Sequence, residues 1–368
     1  MKYIYLISYF VSLSVYGFMN AEFNSVEHKL GIKTVENRQN KVTVLGEGAW
    51  GTAVALALAD NGCDVMLWNF DATVAEHIKN TGYNQRYLPG VHIPASIKIT
   101  TDLQEAIQNS DWIFETTPIQ FLRAIVTAAK PYVACNQTWV ALSKGIEENT
   151  LLLPTQIIAD VLGKDCKVAV CAGPSFAKEL AQKRITSIVV AEPDLTVNSL
   201  LPSLLASSYF RPYISTDMIG IQIGSALKNV LALGIGILDG AGYTDNAKAF
   251  LLSRGLHEMA HLAVAMGGKQ ETLYGLSGIG DLVLTCMGSS SKNLTVGRKL
   301  GAGQQLVDII RETGFIPEGI NTVKSVNMLM QKYAIELPIC QGIHDVIDGA
   351  ITIHEMMNSL MNQPLSVE

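Results

Sequence analysis

A doubly wound α/β sheet followed by an all-α C-terminal domain is the fold class that this sequence of 368 residues predicts. Three observations carry it. An apolar run, KVTVL, opens into a glycine-rich turn and then a segment of small and apolar residues at helical spacing. Short apolar runs then alternate with helical patterns up to about residue 216, as in a mostly parallel sheet with helices on both faces. Beyond about residue 217 the strand signals stop.

The length suits two domains better than one. Apolar residues make up 48% and charged residues 16%, and the 31 glycines show no collagen-like period, which excludes wholesale disorder and fibrous architectures. The mean hydropathy of +0.25 raises the question of a membrane. The formal net charge is -6 and no block of Lys and Arg tracks a phosphate backbone, so nucleic acid is not an expected partner. The six cysteines form no C-x-x-C pair, and reduced thiols in a cytosol are expected.

Residues 1–40 are expected to form a leader-like or disordered extension. The run YIYLISYFVSLSVYGFM after Lys2 resembles the first regions of a secretory leader, is short for a membrane span, and has a poor cleavage site at Ala21 because bulky Met19 stands at the -3 position. The favoured expectation is translation from Met19, with export or anchoring, or a folded extension, as the alternatives. Residues 41–216 are the expected dinucleotide-binding domain and 217–368 the expected helical substrate and catalytic domain.

In Gly46-Glu47-Gly48-Ala49-Trp50-Gly51 the spacing G-x-G-x-x-G follows a strand and opens a helix, with a second strand, CDVMLW, at the expected distance. In this Rossmann context the glycines serve a tight turn, a close approach to a pyrophosphate and close helix packing, with helix amides facing the phosphates. Further strands are expected at DWIFETTP, TWVALSK, CKVAVCAGP, TSIVVA and YFRPYIS. Ligand-binding residues belong on the loops after them, at Thr116-Thr117-Pro118, Ser143-Lys144-Gly145 and Ala172-Gly173-Pro174-Ser175. Lys144 just past a buried strand end is a costly placement without an anion to meet it.

Helices are expected at 218–239, 246–267, 271–287, 293–300, 304–313, 319–332 and 340–360. The first is apolar on every side except for Gln222, Lys228 and Asn229. A lysine at its centre disfavours a membrane span and suits a buried core helix, so no stable membrane insertion is expected. Burial would draw the pKa of Lys228 toward the range useful for proton transfer; a lysine snorkelling to the surface is the alternative.

With the glycine turn, SKGIE, AGPSFAKEL, GSALKNVLALGIGILDG, GLSGIGDLVLTC and SSSKN in that order, the sequence resembles the bacterial type of NAD(P)-dependent glycerol-3-phosphate dehydrogenase from Lys41 to about residue 360. The resemblance implies hydride exchange between NADPH or NADH and dihydroxyacetone phosphate, giving sn-glycerol 3-phosphate for phospholipid synthesis in the cytoplasm. It implies Lys228 as acid/base group, Lys144 as a bridge between cofactor and substrate, and Asp281 as the residue orienting a substrate hydroxyl or Lys228. Asp281 could equally serve as a helix N-cap. Gly46, Gly48, Trp50, Gly51, Lys144, Ala177, Lys292, Ile316 and Glu318 would border the cofactor. Gly173, Ser175, Ser291, Lys292 and Asn293 would join Lys144, Lys228 and Asp281 around the substrate. The family usually has Arg where Lys292 stands; lysine keeps the charge and loses the planar fork, with Arg298 as a possible helper. Relatives often carry Arg or His where Asn69 and Phe70 stand, which leaves the choice between NADH and NADPH open. A homodimer through the helical domain is expected by analogy.

Within oxidoreductases, a hydroxyacid-type enzyme with a similar two-domain plan is an alternative. From another class, His257-Glu258-Met259-Ala260-His261 spells the H-E-x-x-H of a zinc metallopeptidase. Val264 and Gly267 stand where the extended motif needs glycine and a third histidine, so coincidence is the preferred reading and no metal is expected.

Overall fold

The computed structural model describes residues 40–364 except 195, 197, 198 and 289; the leader-like segment therefore lies outside the described residues, Asn40 apart. Eight strands form one sheet: β1 (Lys41–Leu45), β2 (Asp64–Trp68), β3 (Lys98–Thr100), β4 (Trp112–Glu115), β5 (Thr138–Ala141), β6 (Lys167–Ala172), β7 (Thr186–Ala191) and β8 (Phe210–Ser215). Their spatial order is β3-β2-β1-β4-β5-β6-β7-β8. All neighbours run parallel except β6 with β7.

Between these strands lie α1 (Ala49–Asp60), α2 (Ala72–Thr81), α3 (Leu103–Gln108), α4 (Ile119–Ala129), α5 (Pro154–Leu162), α6 (Ala177–Ala181) and α7 (Leu200–Leu205). The central strands are apolar on both faces because helices cover both. Val44, Phe114 and Val140 enter one core, while Leu45, Ile113 and Trp139 enter the other. β3 was not among the expected strands: its three residues, KIT, form an edge with no apolar run to announce it. Strand order reverses between β1 and β4, which sets the ligand crevice of an open α/β sheet at their C-terminal ends, beside Gly46 and Thr116.

From Met218 the described chain is helical: α8 (Met218–Gly240), α9 (Asp245–Ala265), α10 (Asp281–Met287), α11 (Lys292–Gly301), α12 (Leu306–Thr313), α13 (Glu318–Tyr333), α14 (Pro338–Ile347) and α15 (Ile353–Met361). Helix α8 is long and apolar enough to cross a membrane by length and composition, but its apolar window is wholly buried inside the protein. It is the axis of the helical core. Four glycines let α11 lie directly on it: a Cβ at Gly236 would come within 2.4 Å of the Leu294 carbonyl oxygen, one at Gly240 within 2.0 Å of that of Arg298, one at Gly297 within 2.2 Å of that of Leu233 and one at Gly301 within 2.1 Å of that of Ile237.

Two expected helices are subdivided. Segment 271–287 becomes a 3-10 turn at Gln270–Tyr274, a π-helical turn at Leu276–Gly280 and α10. The chain folds so tightly that a Cβ at Gly278 would stand 2.0 Å from the Leu273 carbonyl oxygen. Segment 340–360 divides into α14 and α15 at Gly349, whose φ of +73° ends the first helix. Thr352 and Glu355 then start the second with a reciprocal capping box. All six cysteines are free thiols.

Candidate active site

At the crevice, Gly46 has φ +114°, and a Cβ there would lie 2.8 Å from the Thr116 hydroxyl; one at Gly51 would lie 2.0 Å from the Gly46 carbonyl oxygen. At Gly48 nothing stands within 4 Å of the Cβ position, and no side chain caps the start of α1. The turn is therefore closed against the protein and open toward a ligand, with helix N-terminal amides beside it, which fits a dinucleotide pyrophosphate. Trp50 and Ala177 are half-buried against one apolar cluster on this side of the sheet.

Lys144 follows the end of β5, and Lys228 projects from the middle of α8. Both reach Asp281. Lys228 Nζ lies 2.5 Å from its Oδ1 and Lys144 Nζ lies 3.2 Å from its Oδ2. Asp281 is fully buried as the first residue of α10, while Gly280 occupies the N-cap position. The N-cap reading of Asp281 is thereby corrected, because its carboxylate binds two ammonium groups and caps no helix. Burial lowers the pKa of Lys228 to about 8, with the Lys144 charge adding to the fall and Asp281 opposing it. Burial also acts to lower Lys144, but there the attraction of Asp281, with Glu318 assisting, outweighs it and the pKa lies above the ordinary lysine value.

Behind Lys144, the wholly buried Glu115 at the end of β4 is bound by the hydroxyls of Ser143 and Thr117 and by the Thr117 amide. Burial raises its pKa to about 7 against the pull of those bonds. Beside Lys228, Asn229 donates to Glu318 Oε2 at 2.8 Å and accepts from Asn293 at 3.0 Å, and Asn293 Oδ1 accepts the Gly319 amide at 2.9 Å. The Ser291-Lys292-Asn293 segment is thus tied to the turn of α8 that carries Lys228. Ser291 itself is buried and caps α11, its hydroxyl accepting the Leu294 amide at 3.3 Å.

Lys292 is exposed, with Nζ 4.7 Å from the centre of the Phe315 ring, and Ile316 is exposed nearby in sequence. Arg298 donates from Nε to Asp239 at 2.6 Å, so its guanidinium already has a carboxylate partner. Gly173 has φ +149°, and a Cβ there would meet the Ile188 Cα at 3.0 Å. Ser175 donates to the Gly173 carbonyl at 2.9 Å. Pro174 in the same loop lies 3.7 Å from the Cβ position of Gly280, which brings the loop against the turn preceding Asp281.

Neither Glu115 nor Asn229 is among the site residues expected from the sequence. A carboxylate ending an apolar strand and a second polar residue next to Lys228 were the available signals. His257 and His261 are exposed on α9, whereas Glu258 is buried and accepts the amides of Ile339 at 2.6 Å and Cys340 at 3.0 Å at the start of α14. The glutamate of H-E-x-x-H is therefore a structural anchor between two helices, turned away from the chemistry a metallopeptidase would need.

A dinucleotide crevice in a parallel sheet, facing a buried lysine–carboxylate cluster on a helical unit, defines a dinucleotide-dependent oxidoreductase. Residues 41–198 match the model of the NAD-dependent glycerol-3-phosphate dehydrogenase N-terminus, and residues 217–358 match that of its C-terminus. The chain is 39% identical to the glycerol-3-phosphate dehydrogenase (NAD(P)+) of Bacillus velezensis over 87% of its own length and 94% of the relative's. It is 40% identical to the enzyme of that name from Fusobacterium nucleatum, over 89% and 98%. The crystal structure of glycerol-3-phosphate dehydrogenase from Coxiella burnetii superposes with a TM-score of 0.83 at 34% identity, covering 88% of this chain and 99% of that one. The chain belongs to the NAD-dependent glycerol-3-phosphate dehydrogenase family.

Proposed function

We propose that this chain interconverts dihydroxyacetone phosphate and sn-glycerol 3-phosphate with NADH or NADPH, acting in the cytoplasm and supplying phospholipid synthesis. The observation that carries the chemistry is the pair of buried lysines on one carboxylate, Lys228–Asp281–Lys144. A dinucleotide held over Gly46, Gly48 and Gly51 would supply or accept the hydride of the substrate's C2. In ketone reduction, Lys228 in its ammonium form gives its proton to the oxygen on C2 as that oxygen gains negative charge; in the reverse reaction the neutral amine removes it. Lys144 retains its charge and stabilises the same oxygen or the substrate phosphate. Asp281 orients both ammonium groups. Gly173 and Ser175 border the substrate, with Ser291, Lys292 and Asn293 near its phosphate. Lys292 supplies the charge, and the buried Ser291 and Asn293 hold the loop.

Gly46, Gly48, Trp50, Gly51 and Ala177 would line the dinucleotide, with Ile316 and Glu318 toward its nicotinamide end. Residues 41–216 would serve as its holding domain and 217–368 as the domain supplying the proton. A homodimer through the helical domain completes the proposal.

The purified protein should oxidise NADH or NADPH only when dihydroxyacetone phosphate is added. Lys228→Ala should lower kcat by about two to four orders of magnitude while leaving dinucleotide affinity within a few-fold. No absorbance change with that ketone, or full turnover by Lys228→Ala, overturns the proposal.

A further inference from the structure

The adenosine ribose of a dinucleotide lies at the end of the second strand of such a sheet. There an acidic group accepts from the 2′-hydroxyl in NAD-selective proteins, and a basic one meets the 2′-phosphate in NADP-selective ones. Here β2 ends at Trp68, and the next residue, Asn69, is fully buried with its amide donating to the Leu67 carbonyl at 2.9 Å. It brings no charge to this place. The acidic group comes instead from the glycine turn. Glu47, only 7% exposed, reaches across to accept the amides of Phe70 at 3.0 Å and Asp71 at 3.2 Å.

Those two amides open the loop after β2 and are donors that a 2′-phosphate there would need; Glu47 already occupies them. The loop's cation is no substitute. Arg86 Nη1 is 2.7 Å from Asp71 Oδ2, and its guanidinium lies 5.2 Å from the centre of the Tyr87 ring. Asp71 matches the charge of Arg86, so Glu47 leaves the cluster with one net negative charge. A 2′-phosphate would enter with like charge and without free amides, an arrangement that discriminates by repulsion. A 2′-hydroxyl could instead donate to the Glu47 carboxylate.

We propose that Glu47 is the specificity-determining residue for the cofactor, favouring NAD(H) over NADP(H). The proposal rests on the reading that the dinucleotide lies over the glycine turn. Calorimetric titration of the full chain with NAD+ and with NADP+ tests it without reference to turnover. The wild type should bind NAD+ about tenfold or more tightly than NADP+. Glu47→Gln should narrow that ratio by about tenfold, chiefly through tighter NADP+ binding. Asp71→Asn keeps a capping side chain for α2 and releases Arg86, so it should narrow the ratio in the same direction. If Glu47→Gln does not fold, the wild-type and Asp71→Asn ratios decide. A wild type that favours NADP+, or a ratio that neither substitution moves, overturns the assignment to Glu47 while leaving the dehydrogenase reading intact. A wild type that binds neither dinucleotide overturns both.

Discussion

Replacing Asp281 with Asn removes one oxygen's charge and almost no volume, yet it should be among the most damaging single changes in the chain. The carboxylate is fully buried between Lys228, at 2.5 Å, and Lys144, at 3.2 Å. Removing one partner of a buried pair typically destabilises by about 3–5 kcal/mol. A second route gives a similar limit. Lys144, whose folded pKa lies above the ordinary lysine value, can escape the loss by releasing its proton, which at pH 7 costs about 1.4 kcal/mol for each unit below that ordinary value near 10.4, or about 5 kcal/mol. The unfolding free energy of Asp281→Asn, read from urea denaturation at pH 7, should therefore fall by about 3–5 kcal/mol.

The pH dependence fixes the cause. Without the carboxylate, burial draws the folded pKa of Lys144 from above its unfolded value to below it, so between those two values the unfolded chain binds more protons and the variant gains stability with pH through Lys144 where the wild type does not. The deficit of the variant should shrink as the pH climbs from the variant's folded pKa of Lys144 toward the unfolded one, and kcat should fall by about two orders of magnitude or more. A deficit under about 1 kcal/mol at pH 7, or one that does not change up to pH ~10, would refute the reasoning.

Other consequences can be measured on the same protein. Because Lys228 titrates at about 8, ketone reduction should decline as the pH rises through that value and alcohol oxidation should decline as it falls through it; identical kcat profiles in the two directions would count against Lys228 as the proton carrier. Glu258→Ala leaves the Ile339 and Cys340 amides without an acceptor and should lower the unfolding free energy by about 1–3 kcal/mol while chelators leave turnover unchanged; turnover abolished by chelators would count against a purely structural Glu258. Gly297→Ala forces a methyl to within 2.2 Å of the Leu233 carbonyl oxygen and should destabilise by about 1–3 kcal/mol, read as a lower Tm. Lys292→Arg supplies a bidentate fork and should lower the KM for dihydroxyacetone phosphate by about two- to fivefold, with kcat unaltered.

The parallel sheet was legible because its central strands are buried on both faces and read as apolar runs, and because G-x-G-x-x-G stands between a strand and a helix. β3 was not, since an edge strand of Lys98, Ile99 and Thr100 needs only the backbone of β2 to pair with. Lys228 stood out as a charge in an apolar helix and Lys144 as a charge at a strand end. Their common partner did not stand out from spacing alone: Asp281 lies 53 residues beyond Lys228 and 137 beyond Lys144, and only the folded turn at Leu276–Gly280 brings it between them. Glu47 was hidden for a similar reason. It was read as the variable residue of a glycine motif, and its role depends on a loop that returns to it more than twenty residues later.

The value of one carboxylate for two lysines is clearest in the proton accounting of the site. With both lysines protonated the cluster carries a net positive charge, which suits the arrival of a phosphate ester. The proton that leaves most readily is that of Lys228, because burial and the neighbouring Lys144 charge both weaken its hold. In the proposed transfer of that proton to the substrate oxygen, Lys144 and Asp281 would remain as a neutral ion pair, so no isolated charge would be stranded in the interior. A single lysine on the same carboxylate would behave differently: attraction would raise its pKa, and giving up the proton would leave a buried anion alone. Burial first and the second lysine after it thus make the first an acid of useful strength, and the place of Lys144 at the end of β5 ties that strength to the sheet proposed to hold the dinucleotide.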